Sequence, residues 1–324
     1  MTQPASLLPI DALRAAFGAH LQVNPSLAGY TTARAGGTAD ALLTASSANE
    51  LEEMAQRLWA LGINFTLLGY GSNVLVSDDG LRGVVLLNRA RAIQIDEGSP
   101  QEGREPSVWA ESGALIGTIA RQAALKGLSG FEWAAAVPGT LGGAVYGNAG
   151  AYGGDMNGSL LLAEILHPTG KEIWPVERMQ YTYRSSTLKR ERKQAVVLSA
   201  RLKLAQSDPA KVKEKMDGFT AHRRSTQPPG ASLGSMFKNP PGDYAGRLIE
   251  AAGLKGTRIG DAEISAVHAN FFINHGQASA ADIGQLIHLA QKTVVHKFGV
   301  RLDLEVELIG DWSNIIEETT SEGA

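Results

Sequence analysis

Between Gly130 and Gly158, nine of 29 residues are glycine, far above the usual rate of about 7%. Such density leaves little side-chain surface for a core. The backbone there must itself come close to something flat or highly charged. The centre of this block runs from Val137-Pro138-Gly139-Thr140 through Asn148-Ala149-Gly150 to Gly153. A disordered loop is the bland reading, but the interleaved Leu141, Val145, Tyr146 and Tyr152 argue for packing. A second glycine-rich loop, Gly69-Tyr70-Gly71-Ser72-Asn73, falls between two expected strands, Phe65–Leu68 and Val74–Val76. Successive N–H groups in such a loop can form an anion-binding nest for a pyrophosphate. Taken alone, the loop reads equally well as a plain hairpin turn. It is a poor Rossmann fingerprint, because Val74 stands at the third glycine position and strand residues follow where a helix should begin.

The rest of the chain mixes helices and strands in an α+β order. Periodicity predicts helices over 11–21, over 47–61 with a Ser47/Glu50 capping box, and over 115–126. A further helix begins at Asp208-Pro209 and is broken by Gln227-Pro228-Pro229-Gly230. Another starts near Ser279, with Ile283, Leu286, Ile287, Ala290 and Val294 on one face. Strands are expected over 84–87, over 195–204 to complete a sheet, and over 300–308, where apolar and charged residues alternate. The acidic tail from Glu317 reads as frayed.

Composition removes several classes of function. With no cysteine, the chain has no disulfides, iron–sulfur clusters or thiolate chemistry. Its seven histidines lack metal-ligand spacing, so no metal is expected. A formal charge of -3 offers no footprint for nucleic acid or an anionic membrane. No signal peptide and no apolar run near ~18 residues is present, so a cytoplasmic location is expected.

Single residues carry little by themselves. Ser235 beside Gly234 reads as a turn serine and lacks the G-x-S-x-G frame of a hydrolase nucleophile. Arg184 opens a basic run (Lys189, Arg190, Arg192, Lys193) that suits a solvated hairpin, and Glu305 falls on the polar face of an amphipathic strand. Ordered motifs over nearly the whole chain alter that picture. Thr32-Ala33-Arg34-Ala35-Gly36-Gly37, both glycine-rich loops, Tyr183-Arg184-Ser185-Ser186, Gly234-Ser235-Met236-Phe237-Lys238-Asn239-Pro240 and Leu304-Glu305-Val306 occur in sequence up to Ile309-Gly310. In this combination the chain resembles the UDP-N-acetylenolpyruvoylglucosamine reductase family, flavoenzymes that make UDP-N-acetylmuramate for peptidoglycan.

The resemblance implies a two-part FAD-binding region of the vanillyl-alcohol-oxidase type with a smaller α+β substrate domain. The expected boundaries are 1–88 and 89–225 for the FAD region, completed by a C-terminal strand within 300–324, and 226–299 for the substrate domain. It further implies non-covalent FAD held by Arg34, Gly69, Tyr70, Gly71, Ser72, Asn73, Pro138, Gly139, Thr140, Gly143, Asn148, Ala149 and Gly150. NADPH would be the reductant. Ser235 would be the proton donor, with Arg184 and Glu305 at the carboxylate of UDP-N-acetylglucosamine enolpyruvate and Tyr183, Lys238, Asn239 and His268 near that substrate. The enzyme would act as a monomer. Three positions depart from common family choices: Thr226 where some members carry lysine, Leu304 for a proline, and Met236 for Phe or Val. Only nine residues separate Ser186 from Val196, which matches the type lacking a long tyrosine-bearing loop. A different FAD oxidase of the same fold is the competing reading; no His or Cys lies in either glycine loop to attach a flavin covalently. A non-catalytic nucleotide-binding protein would have no need to keep Arg184, Ser235 and Glu305 together.

Overall fold

The structure is a computed structural model and describes residues 8–313. The expected tail from Glu317 lies outside these residues. Two compact units emerge. The first takes the chain up to Val23, Ala41–Tyr70 and Gly83–Arg223; the second takes Asn24–Asp40, Gly71–Arg82 and the chain from Arg224.

In the first unit, a four-stranded sheet runs in the order Leu21–Val23, Ala39–Ala45, Leu81–Asn88, Phe65–Leu68. The helix Ala48–Ala60 packs on it through Leu51, Met54, Ala55 and Leu58, all buried against Leu43, Val84 and Leu86. Each fully buried leucine contributes roughly 1.5–3 kcal/mol. Ser47 caps this helix by accepting from Glu50 N, but the Glu50 carboxylate returns to Ser46 N at 2.8 Å, so the expected capping box is only half formed. The first helix covers Ile10–Phe17, shorter than expected, because Gly18 turns the chain at φ 51°.

A five-stranded antiparallel sheet follows, ordered Gly170–Pro175, Leu160–His167, Val196–Lys203, Ser107–Glu111, Ile93–Asp96. The strand expected over 195–204 forms as Val196–Lys203 and is the central strand of this sheet. Val196 and Leu198 face the core under Ala48–Ala60, while Val197, Ala200 and Leu202 enter a second core with Ile116, Ile119, Phe131, Trp133, Leu141 and Val145. The sheet is therefore a middle layer buried on both faces.

The second unit is built around the helix Ala280–Phe298. Ser279 and Asp282 form a reciprocal capping box at its start, and Gly299 closes it at φ 66°. Ile283, Leu286, Ile287, Ala290 and Val294 pack onto Phe237, Leu248, Ile249, Phe272, Leu302 and Val306. The Asp78 carboxylate accepts from Ala280 N and Ala281 N at 2.9 and 2.8 Å, which adds negative charge at the helix N-terminus. A small antiparallel sheet, Arg258–Ile259, Ala262–Ile264 and Phe272–Asn274, completes the unit.

The expected strand over 300–308 is largely absent. Only Glu307–Ile309 forms a ladder, in parallel with Val74–Val76, and so lies outside the five-stranded sheet. Alternation predicted burial only in part: Leu302 and Val306 are buried, but Glu305 and Glu307 are half-buried like Leu304 and Leu308. It could not predict the partner, which depends on contacts far away in sequence.

Candidate active site

The loop Gly69–Asn73 is no hairpin turn. Phe65–Leu68 pairs in parallel with the strand Leu81–Asn88, and Val74–Val76 pairs with Glu307–Ile309. Within the first unit, a Cβ on Gly69 would lie 2.5 Å from Thr140 Oγ1, and the Arg89 guanidinium donates to Gly69 O at 2.7 Å. Tyr70 is exposed. Within the second unit, Gly71 has φ +69°, and a Cβ there would stand 2.1 Å from Tyr30 O. Its carbonyl accepts from Thr32 N at 3.0 Å. Arg34, at φ 55°, lies in the same neighbourhood, its carbonyl and that of Ala33 held by Asn274 Nδ2.

The glycine-rich block is packed, as its apolar residues suggested. Leu141–Gly147 is a helix, although glycine disfavours helices by roughly 1 kcal/mol per residue. Thr140 caps it by accepting from Gly143 N, and Leu141, Ala144 and Val145 are buried. Gly143 and Gly147 lie one turn apart on a bare helix face. A Cβ on Gly147 would meet nothing within 4 Å, and one on Gly143 only Thr140 Oγ1 at 3.5 Å. Gly139, at φ 141°, sits at the entrance to the helix. Tyr152 stacks on Phe219 at 4.6 Å between ring centroids. Exposed backbone without side chains suits the face of a flat ring, so these residues fit a flavin.

Asn148, buried and left-handed at φ 48°, accepts from Asn157 N and donates to Thr182 O, each at 3.0 Å. Its amide therefore joins the glycine block to the turn that carries Arg184. Ala149 bonds Ala144 O and Met156 N through its main chain, and Gly150 packs on Asp155 where a Cβ would clash at 2.7 Å. In the turn, Thr182 and Ser185 exchange two main-chain hydrogen bonds of 3.1 Å, leaving Tyr183 and Arg184 at the tip. Arg184 has φ 54°, a conformation that costs a non-glycine residue about 1–3 kcal/mol. Its guanidinium lies 5.3 Å from the centre of the exposed Tyr183 ring. Buried Ser186 anchors the turn by donating to Tyr146 O at 2.6 Å.

In the second unit the segment 234–239 is gripped along both edges. Ser235 bridges Phe271, and Met236 N donates to Asn270 O. On the other edge Glu305 N donates to Met236 O and Lys238 N to Asp303 O. Ser235 and Glu305 thus lie on adjacent extended segments joined by an isolated bridge, Phe237 opposite Leu304. Glu305 is half-buried, contrary to the exposed default for a polar strand face. Asn73 brackets it: Nδ2 donates to Glu305 O at 3.0 Å, and Asn73 O accepts from Glu307 N at 2.9 Å. Asn239 Oδ1 accepts from Ala245 N at the start of a helix. His268 Nδ1 accepts from Asn270 N at 3.2 Å, and burial holds its imidazole below the ordinary pKa. Sequence reading missed Arg89 and Asn270, since neither belongs to a glycine-rich motif. The only local hint of Asn270 is an amide set against the apolar run Phe271-Phe272-Ile273.

A family model described as an FAD binding domain matches residues 39–174, and the C-terminal domain of UDP-N-acetylenolpyruvoylglucosamine reductase matches residues 225–309. The chain is 43% identical over 295 residues to the UDP-N-acetylenolpyruvoylglucosamine reductase of Chloroflexus aggregans, covering 89% of this chain and 97% of that one. It is 40% identical over 289 residues to the enzyme of that name from Bacillus subtilis, covering 89% and 93%. The crystal structure of UDP-N-acetylenolpyruvylglucosamine reductase from Thermus caldophilus superposes with a TM-score of 0.75 at 34% identity, over 89% of this chain and 99% of that chain. The α+β class and the FAD-binding region are borne out, and the protein is an FAD-dependent oxidoreductase. It belongs to the UDP-N-acetylenolpyruvoylglucosamine reductase family.

No helix among the described residues is long and apolar enough to cross a membrane. Purified protein is expected to be yellow and to release FAD, not FMN, on denaturation. Chromatography of the released flavin checks this, and a colourless protein that fails to take up FAD contradicts it.

Proposed function

We propose that Arg184, Ser235 and Glu305 carry the chemistry of the substrate half of the family's reaction. That reaction is the NADPH-dependent reduction of UDP-N-acetylglucosamine enolpyruvate to UDP-N-acetylmuramate, in peptidoglycan precursor synthesis. A bound FAD would supply the hydride-transfer chemistry between NADPH and the vinyl C3 of the substrate. Negative charge then builds on the substrate carboxylate. Arg184 meets it with a planar, bidentate donor pair, and Glu305 offers a hydrogen-bonding acid. Ser235 delivers its hydroxyl proton to C2, so hydride and proton together saturate the double bond.

The observation that carries this reading is the two-sided grip on the segment 234–238, which holds Ser235 beside the segment that carries Glu305. Gly69–Asn73 would bind the FAD diphosphate and Pro138–Gly150 the flavin, with Arg34 assisting. Residues 226–299 would form the substrate domain, with Lys238, Asn239 and Tyr183 near the nucleotide. We further infer a cytoplasmic monomer, with small-molecule partners and no nucleic acid or membrane partner. Its nucleotide substrate and its reductant support that location.

Arg184→Lys tests the assignment, because it keeps charge but loses the planar fork. Turnover of the enolpyruvyl substrate is expected to fall about 10²-fold with FAD content unchanged. Loss of FAD with normal turnover per bound flavin would instead place Arg184 in cofactor binding or folding.

A further inference from the structure

We propose that Asn270 and His268 form a clamp that positions Ser235, with His268 acting as a neutral hydrogen-bond acceptor and not as a substrate ligand. The proposal rests on Ser235 being the proton donor. Asn270 is only 3% exposed, and its whole amide is engaged by one residue. Oδ1 accepts from Phe237 N at 2.9 Å while Nδ2 donates to Phe237 O at 2.8 Å. One side chain thereby supplies the pair of bonds that a neighbouring strand would otherwise make. Its own carbonyl takes Met236 N at 2.8 Å, so three bonds from a single residue fall immediately after Ser235.

Asn270 is in turn set by His268. Its N–H points at His268 Nδ1, which can accept only when that nitrogen carries no proton. His268 is held through both ring and main chain. Phe271 meets the ring edge-on at 4.9 Å, and the main-chain N of His268 donates to Ser265 Oγ at 3.3 Å. Gly246 leaves it room, since a Cβ there would stand 3.0 Å from Cε1. Burial lowers the proton affinity of the imidazole and so favours the accepting form. A proton donor displaced by 1 Å loses on the order of 10²-fold in rate, which gives this clamp a catalytic consequence.

An Asn side chain can place its oxygen near the position of Nδ1, whereas Gln carries it one methylene further. His268→Gln is therefore expected to slow reoxidation of the flavin by the enolpyruvyl substrate about tenfold or more, and His268→Asn to stay within about threefold of wild type. FAD content, melting temperature, substrate KM and the rate of reduction by NADPH should not change in either. Equal slowing in both variants, no slowing in either, or a rise in KM at constant kcat would overturn the clamp. If His268→Gln melts early, Gly246→Ala displaces the ring from outside; slowed reoxidation supports the clamp and an unchanged rate overturns it. Ser235→Ala separates the two claims. If it leaves reoxidation at the wild-type rate, the donor assignment fails and the clamp with it; if it slows reoxidation while the His268 variants do not, the clamp alone fails.

Discussion

Ser235→Ala is expected to slow reoxidation of reduced enzyme by the enolpyruvyl substrate by about 10²–10⁴-fold, the usual contribution of a positioned general acid. Reduction by NADPH should proceed at close to the wild-type rate, because no carbon is protonated in that half. The structure makes this a clean experiment. The neighbours of Ser235 are held through main-chain bonds of Met236 and Lys238, none of which uses the serine hydroxyl. Removing one oxygen should therefore leave the segment in place. Stopped-flow absorbance at the flavin band, following each half separately, gives the answer. Equal slowing of both halves, or none in the second, rules Ser235 out as the acid.

The second large effect belongs to Gly71 and is best read against Gly62. Both have nearly the same backbone, φ +69° and +68°. A Cβ on Gly62 would meet nothing within 4 Å, whereas one on Gly71 would lie 2.1 Å from Tyr30 O and 2.8 Å from Thr31 Cα. Gly62→Ala should cost only the left-handed strain of about 1–2 kcal/mol and leave FAD content intact. Gly71→Ala carries that same strain and must also push two stretches of backbone apart. We expect it to lose most of its FAD and to melt well below Gly62→Ala. Flavin-to-protein absorbance ratios and melting curves measure both effects. Full FAD in Gly71→Ala would mean that this loop does not hold the cofactor.

Local signals in the sequence were read well. The helix Ala280–Phe298 carries its Ser279 start and its apolar stripe within one continuous stretch, so both were legible. The helix Leu141–Gly147 was not, because glycine opposes helix formation and the compensating burial of Leu141 and Val145 is tertiary. The site shows the same division. Ser235, Arg184 and Glu305 could be named from motifs, but each read as a surface or turn residue in isolation. What holds them is non-local: Asn73 reaches Glu305 across 232 residues, and Asn148 reaches Thr182 across 34. Asn270 and Arg89 act on main-chain atoms, a role that leaves no trace in a glycine or charge pattern.

The most direct test of the account is anaerobic titration of the purified protein with NADPH, followed by UDP-N-acetylglucosamine enolpyruvate. The flavin band should bleach with NADPH and return when the enolpyruvyl nucleotide is added, with UDP-N-acetylmuramate formed in equal amount to the flavin reoxidised. A band that bleaches but returns only with oxygen, and not with the enolpyruvyl nucleotide, would contradict it.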